Sequence, residues 1–444
     1  MALIYPFRGL RYSRDKVGDL DLVMTQPYDK ISRDMQRDYY GRSPFNVVRI
    51  TKNFEKNEDP DTTYPDAAAT LERWIAEGLL VPDPKPAIYA YFREYEVEGE
   101  KQSQKGFIAL LDLAHSAGGI LPHERTLAEP KADRLQLMRA TESNDDPIYT
   151  IFTDDRLVVD QMLDEATSRL PPEIEVHSDL GAVHRVWPIT DTKILKKVRD
   201  AMVPEELFIA DGHHRFETAV AYMNECRARG WRPGDTESFD KRMVACFNSA
   251  APGVTILPTH RLVHGLPSLD SASFLRRAGQ HFHTKKMKSP EALWGVMKEG
   301  RGRDHVFGFY PADLRRPWLL TLKEEAKVDP LMLAHGEAYR HLDVSILHTL
   351  LLEGILGIDE AKLVAQTHVE YARDRDYCIR AVNEGTCQAA FFLNPTTVEQ
   401  MQRVALLGER MPQKSTDFYP KLLTGLVFMK MAIVRRQNQA GRPN

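Results

Sequence analysis

The segment Leu207–Ala219 joins a short apolar run to a helical pattern through one glycine, and this junction constrains the fold most strongly. Phe208, Ile209 and Ala210 are typical of the end of a buried strand. A helix is predicted to begin near Arg215, because apolar residues then recur at helical spacing: Phe216, Ala219, Val220, Met223 and Cys226. A strand that runs directly into a helix predicts an α/β protein.

Helical and strand patterns alternate unevenly along the rest of the chain, which predicts a mixed α/β (α+β) fold instead of a pure doubly wound sheet. The predicted elements are a helix over Asp66–Leu80, strands over Ala87–Tyr95 and Lys105–Leu113 joined by the charged loop Glu96–Gln104, a strand over Glu206–Ala210, a hairpin of His305–Tyr310 and Trp318–Leu322, a leucine-rich core helix capped by Asp343, a strand over Cys387–Leu393, and a helix from Asn394 to Gly408.

Turn-rich seams near residues 115–119 and 263–273 suggest three parts. These are an N-terminal part, a central part with the strand–glycine–helix junction and a C-terminal part, followed by a polar tail predicted to be disordered: 1–115, 116–265, 266–430 and 431–444. One intertwined domain is the alternative.

Composition excludes several classes of protein. The 444 residues are 43% hydrophobic and 27% charged, which excludes a disordered, collagenous or coiled-coil chain. A net charge of −4 argues against nucleic acid as a partner. Four cysteines without metal-ligand spacing are predicted to be buried thiols of a reducing compartment. With neither a signal peptide nor an apolar stretch of about eighteen residues, the expectation is a cytoplasmic protein without a membrane partner.

The helix that follows Gly212 carries three potential cations at its start: His213, His214 and Arg215. The helix dipole is positive at this end, so the arrangement becomes favourable when an anion such as phosphate binds there. Asp211 could hold a metal ion or orient a histidine, and Gly212 allows close approach to a ligand. The alternative is that Asp211 caps the helix and the histidines lie in a polar loop.

A second cluster, His123-Glu124-Arg125, offers a general base for a hydroxyl proton if the pKa of Glu124 is raised. It is not an HExxH zinc helix, because position 127 is Leu. Further polar residues follow in a predicted helical arm: Asp133, Arg134, Asn144 and Asp145. The alternative is a solvated charged loop.

A third cluster lies between Pro412 and Pro420, and these prolines predict an ordered loop instead of a helix. Its lysines and hydroxyls could clamp a phosphate, or they could belong to an ordinary surface turn: Lys414, Ser415, Thr416 and Lys421. Asp29 is a candidate substrate or metal ligand, although Pro-Tyr-Asp is also common in turns. The tripeptide Thr259-His260-Arg261 is a weaker candidate for lining the same pocket.

The junction Asp211–Arg215 followed by Ala219 resembles the phosphate-binding box of the ParB/sulfiredoxin-like superfamily, which includes partition proteins, sulfiredoxins and free-serine kinases. Nearly all of residues 1–430 resemble the prokaryotic domain-of-unknown-function family ten-fifteen. Six segments carry this resemblance: Gln26–Asp29, Ser43–Asn46, His123–Thr126, Asp133–Arg134, Ile209–Arg215 and Met411–Lys421.

The resemblance implies a ParB/sulfiredoxin-like core and phosphoryl transfer, since some relatives phosphorylate free L-serine from diphosphate or a nucleotide. Mg²⁺ and a donor such as diphosphate, ADP or ATP are then expected. The expected catalytic residues are Glu124, His123, Asp211 and His214; the expected phosphate or substrate ligands are His213, Arg215, Gly212, Arg134, Lys414, Ser415, Thr416, Lys421 and Asp29; the expected metal ligands are Asp211 and Asp133.

Two other functions are alternatives, and the second of them uses nearly the same residues. One is a ParB-like nucleotide-binding switch that contacts DNA or a protein, and the other is a metal-dependent phosphatase. The sequence leaves open the donor, the acceptor, the oligomeric state and whether the three clusters form one pocket.

Overall fold

The computed structural model describes residues 1–53, 60–115, 119–126, 128–323 and 331–435. The chain forms two compact units. The first unit is built from three stretches of sequence and the second from two: Met1–Pro122, Thr126–Val254 and Pro420–Asn444, then His123–Arg125 and Thr255–Tyr419. The boundary predicted at 265/266 lies close to the start of the main stretch of the second unit, and the boundary predicted at 115/116 lies within the first.

Helices lie in both units. The α-helices are α1 (Arg14–Val17), α2 (Arg33–Arg42), α3 (Val48–Thr51), α4 (Pro60–Ala76), α5 (Ala128–Thr141), α6 (Val158–Thr167), α7 (Thr192–Met202), α8 (His213–Ala228), α9 (Ser271–Ala278), α10 (Pro290–Gly300), α11 (Glu337–Arg340), α12 (Asp343–Ile346), α13 (Glu360–Ala365), α14 (Arg375–Asn383) and α15 (Val398–Leu406). Short 3₁₀ turns cover Leu20–Leu22 and Tyr28–Lys30, and a π-helical segment covers Leu347–Glu353. Within the described part of the chain, no helix has the length and apolar character needed to cross a bilayer.

The strands are β1 (Ile4–Tyr5), β2 (Leu10–Tyr12), β3 (Leu80–Pro82), β4 (Ile88–Val97), β5 (Glu100–Asp112), β6 (Ile120–Leu121), β7 (Ser143–Asn144), β8 (Ile148–Phe152), β9 (Ile174–His177), β10 (Val183–Ile189), β11 (Leu207–Asp211), β12 (Arg232–Pro233), β13 (Lys241–Asn248), β14 (Thr255–Ile256), β15 (His260–Val263), β16 (Phe282–Lys286), β17 (Val306–Pro311), β18 (Trp318–Leu322), β19 (Val369–Ala372), β20 (Ala389–Phe392), β21 (Phe418–Tyr419), β22 (Met429–Lys430) and β23 (Ile433–Val434).

A nine-stranded mixed sheet organises the first unit, which confirms the predicted mixed α/β class. Its strand order is β6-β11-β8-β13-β5-β4-β10-β9, with β1 also paired to β5. The contacts of β11 with β6 and of β13 with β8 are parallel, and the other pairings are antiparallel. Apolar residues of the central strands and of α6 and α7 pack into one buried core, which fixes the position of β11 in the sheet.

A six-stranded antiparallel sheet organises the second unit, in the order β16-β18-β17-β20-β15-β19. Helices α10 and α14 supply residues such as Leu293, Met297 and Val382 to the apolar core on this sheet. The predicted hairpin is confirmed as β17–β18. All four cysteines are buried and free, as predicted, two in each unit.

The predicted loop Glu96–Gln104 is wrong, because β4 extends to Val97 and β5 begins at Glu100. Glu98 and Gly99 alone form the turn, at φ of +51° and +81°. Positive φ at both central residues is typical of the type I′ hairpin turn, which matches the twist of paired strands. The charged residues had suggested a loop, but they lie on paired strands, and Glu96 and Lys101 form one pair of opposite charges across the hairpin.

Several predicted helices exist with shifted ends. Helix α4 covers Pro60–Ala76 instead of Asp66–Leu80, and α15 begins at Val398 because Thr397 and Gln400 form a capping box. Asp343 was predicted as a helix cap, but its carboxylate hydrogen-bonds to the ring of His305. The leucines that follow are buried as predicted, although their backbone is π-helical.

Two predictions concern polar segments near the ends of elements. Of the predicted helical arm, Asp133 and Arg134 lie in α5, whereas Asn144 lies in the short strand β7, so the helix ends sooner than expected. The predicted disordered tail contains β23, which pairs with β12. Residues 436–444 of that tail lie outside the described residues.

We predict that Gly99→Ala lowers the free energy of unfolding by about 1–2 kcal/mol, because an L side chain is strained at positive φ. A Cβ atom at Gly99 would meet no atom of the described residues within 4 Å, so backbone strain accounts for the loss. Gly41→Ala is the matched control: it is equally open but helical, and we expect a gain of up to about 1 kcal/mol. Chemical denaturation measures both, and equal effects would contradict the turn assignment.

Candidate functional site

The strand–glycine–helix junction forms as predicted, with α8 beginning at His213, two residues before the expected start. Gly212 is the N-cap residue, at a φ of +95°. A Cβ atom at this position would lie 2.9 Å from the Arg215 guanidinium. Glycine is therefore required both by the left-handed backbone and by the guanidinium that folds back over the turn.

Five side chains of the first unit form a buried ion-pair chain. Lys421 Nζ lies 2.8 Å from one Asp211 oxygen, and Arg215 Nη2 lies 2.7 Å from the other. Arg215 Nη1 lies 2.7 Å from Asp146, and Arg242 Nη2 lies 3.1 Å from the second Asp146 oxygen. Asp211 has the most exposed side chain of the five, at 20%, and the others are exposed by 6% or less.

At the outer end of the ion-pair chain, Lys421, Asp211 and Arg215 stabilise one another in their charged forms. Burial by itself raises the pKa of Asp211, but Lys421 and Arg215 more than offset this effect and hold it well below its ordinary value. Burial likewise lowers the pKa of Arg215, but Asp146 and Asp211 raise it above its ordinary value. A carboxylate with such a low pKa is a weak base, so the geometry suits Asp211 for orienting cations and not for accepting a proton.

The inner end consists of Asp146 and Arg242, which the sequence analysis missed. Burial raises the pKa of Asp146 and lowers that of Arg242, and their ion pairing offsets this incompletely. The signal available for Arg242 was a charged residue at the start of the apolar strand β13. Asp146 follows two other polar residues in a segment that had been predicted as helix.

The two histidines of the junction differ in exposure. His213 is buried and His214 is partly buried, at the first and second positions of α8. The charge of His214 acts on Glu217, whose carboxylate accepts hydrogen bonds from Thr126 at 2.7 Å and from Lys131 at 2.9 Å. His214 is thus the more accessible of the two for contact with a ligand.

Arg134 and Asp133, predicted to bind phosphate and metal respectively, are paired with each other at 2.6 Å. Arg134 also donates to the Thr51 carbonyl and lies over the Tyr28 ring, 4.0 Å from its centroid. Burial raises the pKa of Tyr28 to about 12, with Arg134 acting in the opposite direction. Asp29 lies in the 3₁₀ turn beside Tyr28, and its charge also acts on Arg215.

A small cavity of about 20 Å³ connects the Arg134 side chain with the inner end of the ion-pair chain. The charged residues in its wall are Arg134, Asp145, Asp146, Arg215 and Arg242. This volume accommodates about one water molecule. A phosphate with its four oxygens is larger than that, so an anion at this cluster must contact the outer, more exposed groups.

The predicted magnesium ligands do not fit a metal site. Both oxygens of Asp211 accept from cations, and Asp133 accepts from Arg134 and from the Tyr64 hydroxyl. Across residues 1–53, 60–115, 119–126, 128–323 and 331–435, no three His, Cys, Asp or Glu side chains are grouped as metal ligands.

Two of the predicted clusters come together in the second unit, although almost three hundred residues separate them in sequence. His123 is buried and its Nε2 atom lies 2.8 Å from the Thr416 hydroxyl. Glu124 forms a parallel bridge with Met411, and its Oε1 accepts from the Lys414 backbone N–H at 3.2 Å. The sequence left open whether the predicted clusters meet, and these hydrogen bonds join two of them.

The loop at Lys414 is held in an unusual conformation. Lys414 has a φ of +56°, a region that non-glycine residues rarely adopt, and the hydrogen bond to Glu124 fixes it there. Ser415 donates to the Pro412 carbonyl at 2.5 Å. The two predicted phosphate-binding lysines belong to different clusters, because Lys421 lies in the first unit and Lys414 in the second.

The fold and the first-unit cluster define a mixed α/β protein with an ion-paired cationic turn at the start of a helix. The chain belongs to the family described as "Protein of unknown function (DUF1015)", whose sequence model matches residues 4–345. This family assignment agrees with the predicted resemblance, while the ParB/sulfiredoxin-like core stays a prediction. Among curated proteins, no match to the chain was found.

Solved structures show similarity at low identity. A conserved hypothetical protein from Pyrococcus furiosus has a TM-score of 0.34 and 12% identity, covering 71% of this chain and 93% of that chain. A mutant free serine kinase in complex with ADP has a TM-score of 0.35 and 11% identity, covering 71% and 91%. C-terminally truncated SbnI from Staphylococcus aureus has a TM-score of 0.36 and 11% identity, covering 72% and 86%. Similarity at this level carries no argument about activity.

We predict that Asp146→Ala lowers the free energy of unfolding by about 3–5 kcal/mol, because it leaves Arg215 and Arg242 buried without their shared partner. Asp164→Ala is the matched control in the same unit, since its partner Lys105 is half-exposed, and we expect a loss of about 0–1 kcal/mol. Guanidinium denaturation followed by circular dichroism measures both. Equal losses for the two variants would contradict a central role for Asp146.

Proposed function

We propose that this protein transfers a phosphoryl group to a small hydroxylated acceptor, most specifically L-serine, and that the outer end of the ion-pair chain binds the phosphate. The observation that carries the proposal is the convergence of Lys421, Asp211 and Arg215 at the start of the sixteen-residue helix α8. The positive end of a helix dipole and two adjacent cations suit a phosphate group.

The ion pairs prepare these cations for catalysis before any substrate binds. Phosphoryl transfer spreads negative charge over the oxygens of the transferred group, so fixed positive groups stabilise the transition state. Asp211 and Asp146 hold the Arg215 guanidinium from two sides, and Asp211 also holds Lys421. Cations that are already oriented require little reorganisation during the reaction.

The acceptor and the donor come from the family resemblance. Some relatives phosphorylate free L-serine, so serine is the first acceptor to test, with diphosphate, ADP and ATP as donors. In this proposal Glu124 takes the proton of the acceptor hydroxyl. Phosphatase chemistry and a nucleotide-binding switch that contacts DNA are the competing outcomes of the same experiments.

We predict that the full-length protein converts labelled L-serine to O-phosphoserine with at least one of the three donors. The reaction is followed by product analysis, with Mg²⁺ and separately with a chelator. Absence of both product and serine-dependent donor breakdown contradicts the proposal. Phosphate release without phosphoserine indicates a phosphatase, and tight salt-dependent DNA binding indicates the switch.

The phosphate-binding role of the first-unit cluster is tested in the same assay with Lys421→Met. We expect kcat/KM to fall by about 10²–10³-fold, the usual effect of losing one group that stabilises transition-state charge. Lys105→Met removes a half-exposed lysine of the same unit and should change kcat/KM by less than about twofold. An unchanged kcat/KM in Lys421→Met would refute the phosphate-binding site without contradicting the phosphotransferase activity.

Glu124→Gln separates the proton-accepting role of Glu124 from its structural role. The amide oxygen of Gln can still accept the Lys414 N–H, so the loop is preserved, but the base is removed. We expect kcat to fall by about 10²–10⁴-fold with an unchanged melting temperature. Full activity in this variant would show that Glu124 serves the loop conformation alone.

A further inference from the structure

Arg261 is a buried arginine without a carboxylate partner. It is the second residue of β15, paired with Tyr371 on β19 and with Phe391 on β20, and it is 1% exposed. In the part of the chain that the structure describes, Asp and Glu side chains form no ion pair with Arg261. Arg215 and Arg242 of the first unit, by contrast, both contact Asp146.

The hydrogen bonds of Arg261 all go to neutral acceptors. Its Nε donates to His348 Nε2 at 3.3 Å, its Nη2 donates to the Lys414 carbonyl at 3.1 Å, and its Nη1 donates to the Thr259 carbonyl. A guanidinium has five N–H groups, so two remain for another acceptor. Carbonyls orient the guanidinium but do not neutralise its charge, and a buried charge without a counter-ion is costly.

The guanidinium remains charged despite its burial. Burial lowers the pKa of Arg261 to about 10, which is still far above neutral pH. His348 does not share the proton, because burial and the nearby Arg261 hold its pKa well below the ordinary value. The guanidinium therefore stays positively charged at neutral pH, and no ion pair within the described residues neutralises it.

A second hydrogen-bond donor lies beside this charge. The Tyr371 hydroxyl is buried and has no hydrogen-bond partner within the described residues, and the guanidinium carbon lies 5.3 Å from the Tyr371 ring centroid. Burial raises the pKa of Tyr371, Arg261 lowers it and Glu124 raises it. The hydroxyl therefore keeps its proton at neutral pH and can donate it to an acceptor.

Two irregular backbone segments supply the partners of Arg261. His348 lies in the π-helical segment Leu347–Glu353, and π-helical turns occur frequently at functional sites. Lys414 lies in the left-handed region of φ, a conformation that tends to cluster at ligand-binding sites. Two of the three acceptors of Arg261 thus belong to residues in uncommon backbone conformations.

We propose that Arg261 and the Tyr371 hydroxyl bind a small oxyanion in the second unit, through the carboxylate or phosphate oxygens of a metabolite. The ligand supplies the negative charge that the described residues do not. The two remaining N–H groups and the hydroxyl provide donors for two or three oxygens of one anion. The negative charge of Glu124 opposes anion binding near Tyr371, but the Glu124 carboxylate accepts a hydrogen bond from the Lys414 N–H.

The test uses the full-length protein and titrates it with sodium phosphate or sodium acetate at constant ionic strength, with sodium chloride as the control. We expect one oxyanion to raise the melting temperature in a saturable manner and to give a measurable Kd by calorimetry. The two arms distinguish a phosphate from a carboxylate ligand. Absence of saturable binding with both anions overturns the proposal.

Three variants locate the binding. Tyr371→Phe removes one oxygen atom and should weaken binding by about 2–12-fold, the effect of one hydrogen bond. Arg261→Met should abolish the saturable binding that Tyr371→Phe weakens; if this variant does not fold, Tyr371→Phe decides. Lys105→Met should leave the binding intact, because Lys105 lies in the first unit and pairs with Asp164. Unchanged affinity in Tyr371→Phe, or loss of binding in Lys105→Met, refutes the assignment, and neither result depends on serine phosphorylation.

Discussion

The buried ion-pair chain from Lys421 through Asp211, Arg215 and Asp146 to Arg242 is the interaction on which the first unit depends. It joins residues that are 210, 69 and 96 positions apart in sequence. One of these residues comes from the segment that returns to the first unit after Tyr419. That segment also buries a run of apolar residues, Leu422, Leu423, Leu426, Val427, Phe428 and Met429. Apolar burial drives its return, and the ion pairs fix its register.

The two ends of the ion-pair chain have different energetics. At Asp211 the neighbouring cations outweigh the cost of burial, whereas at Asp146 and Arg242 burial outweighs the ion pairing. Apolar packing of the same volume is often as stable as a buried ion pair, so the inner end stabilises the fold no more than apolar side chains would, although loss of one partner alone is costly. Its physical effect is to hold Arg215 in one orientation. Buried charged groups that add little net stability but fix the orientation of a neighbouring side chain are typical of a binding site.

Local signals in the sequence were sufficient for part of this arrangement. The apolar residues before Gly212 and the helical spacing after it predicted the β11–α8 junction to within two residues. The partners Asp146 and Arg242 were missed because an ion pair between residues far apart in the chain produces no periodic pattern in the sequence. The Glu98–Gly99 hairpin was missed for a related reason: charged residues suggest a loop until their cross-strand partners are known. The π-helical segment at His348 was missed because leucines at this spacing fit an α-helix equally well.

Two buried arginines, Arg215 in the first unit and Arg261 in the second, differ in how their charge is compensated. Arg215 is compensated on two sides by carboxylates, and its pKa rises. Arg261 meets an imidazole and two carbonyls, and its pKa falls to about 10. A buried cation can be neutralised by an internal carboxylate, by losing its proton or by a bound anion. The described residues do not provide the first for Arg261, and its pKa excludes the second at neutral pH. A bound anion is the remaining solution, and the Tyr371 hydroxyl is positioned to share it.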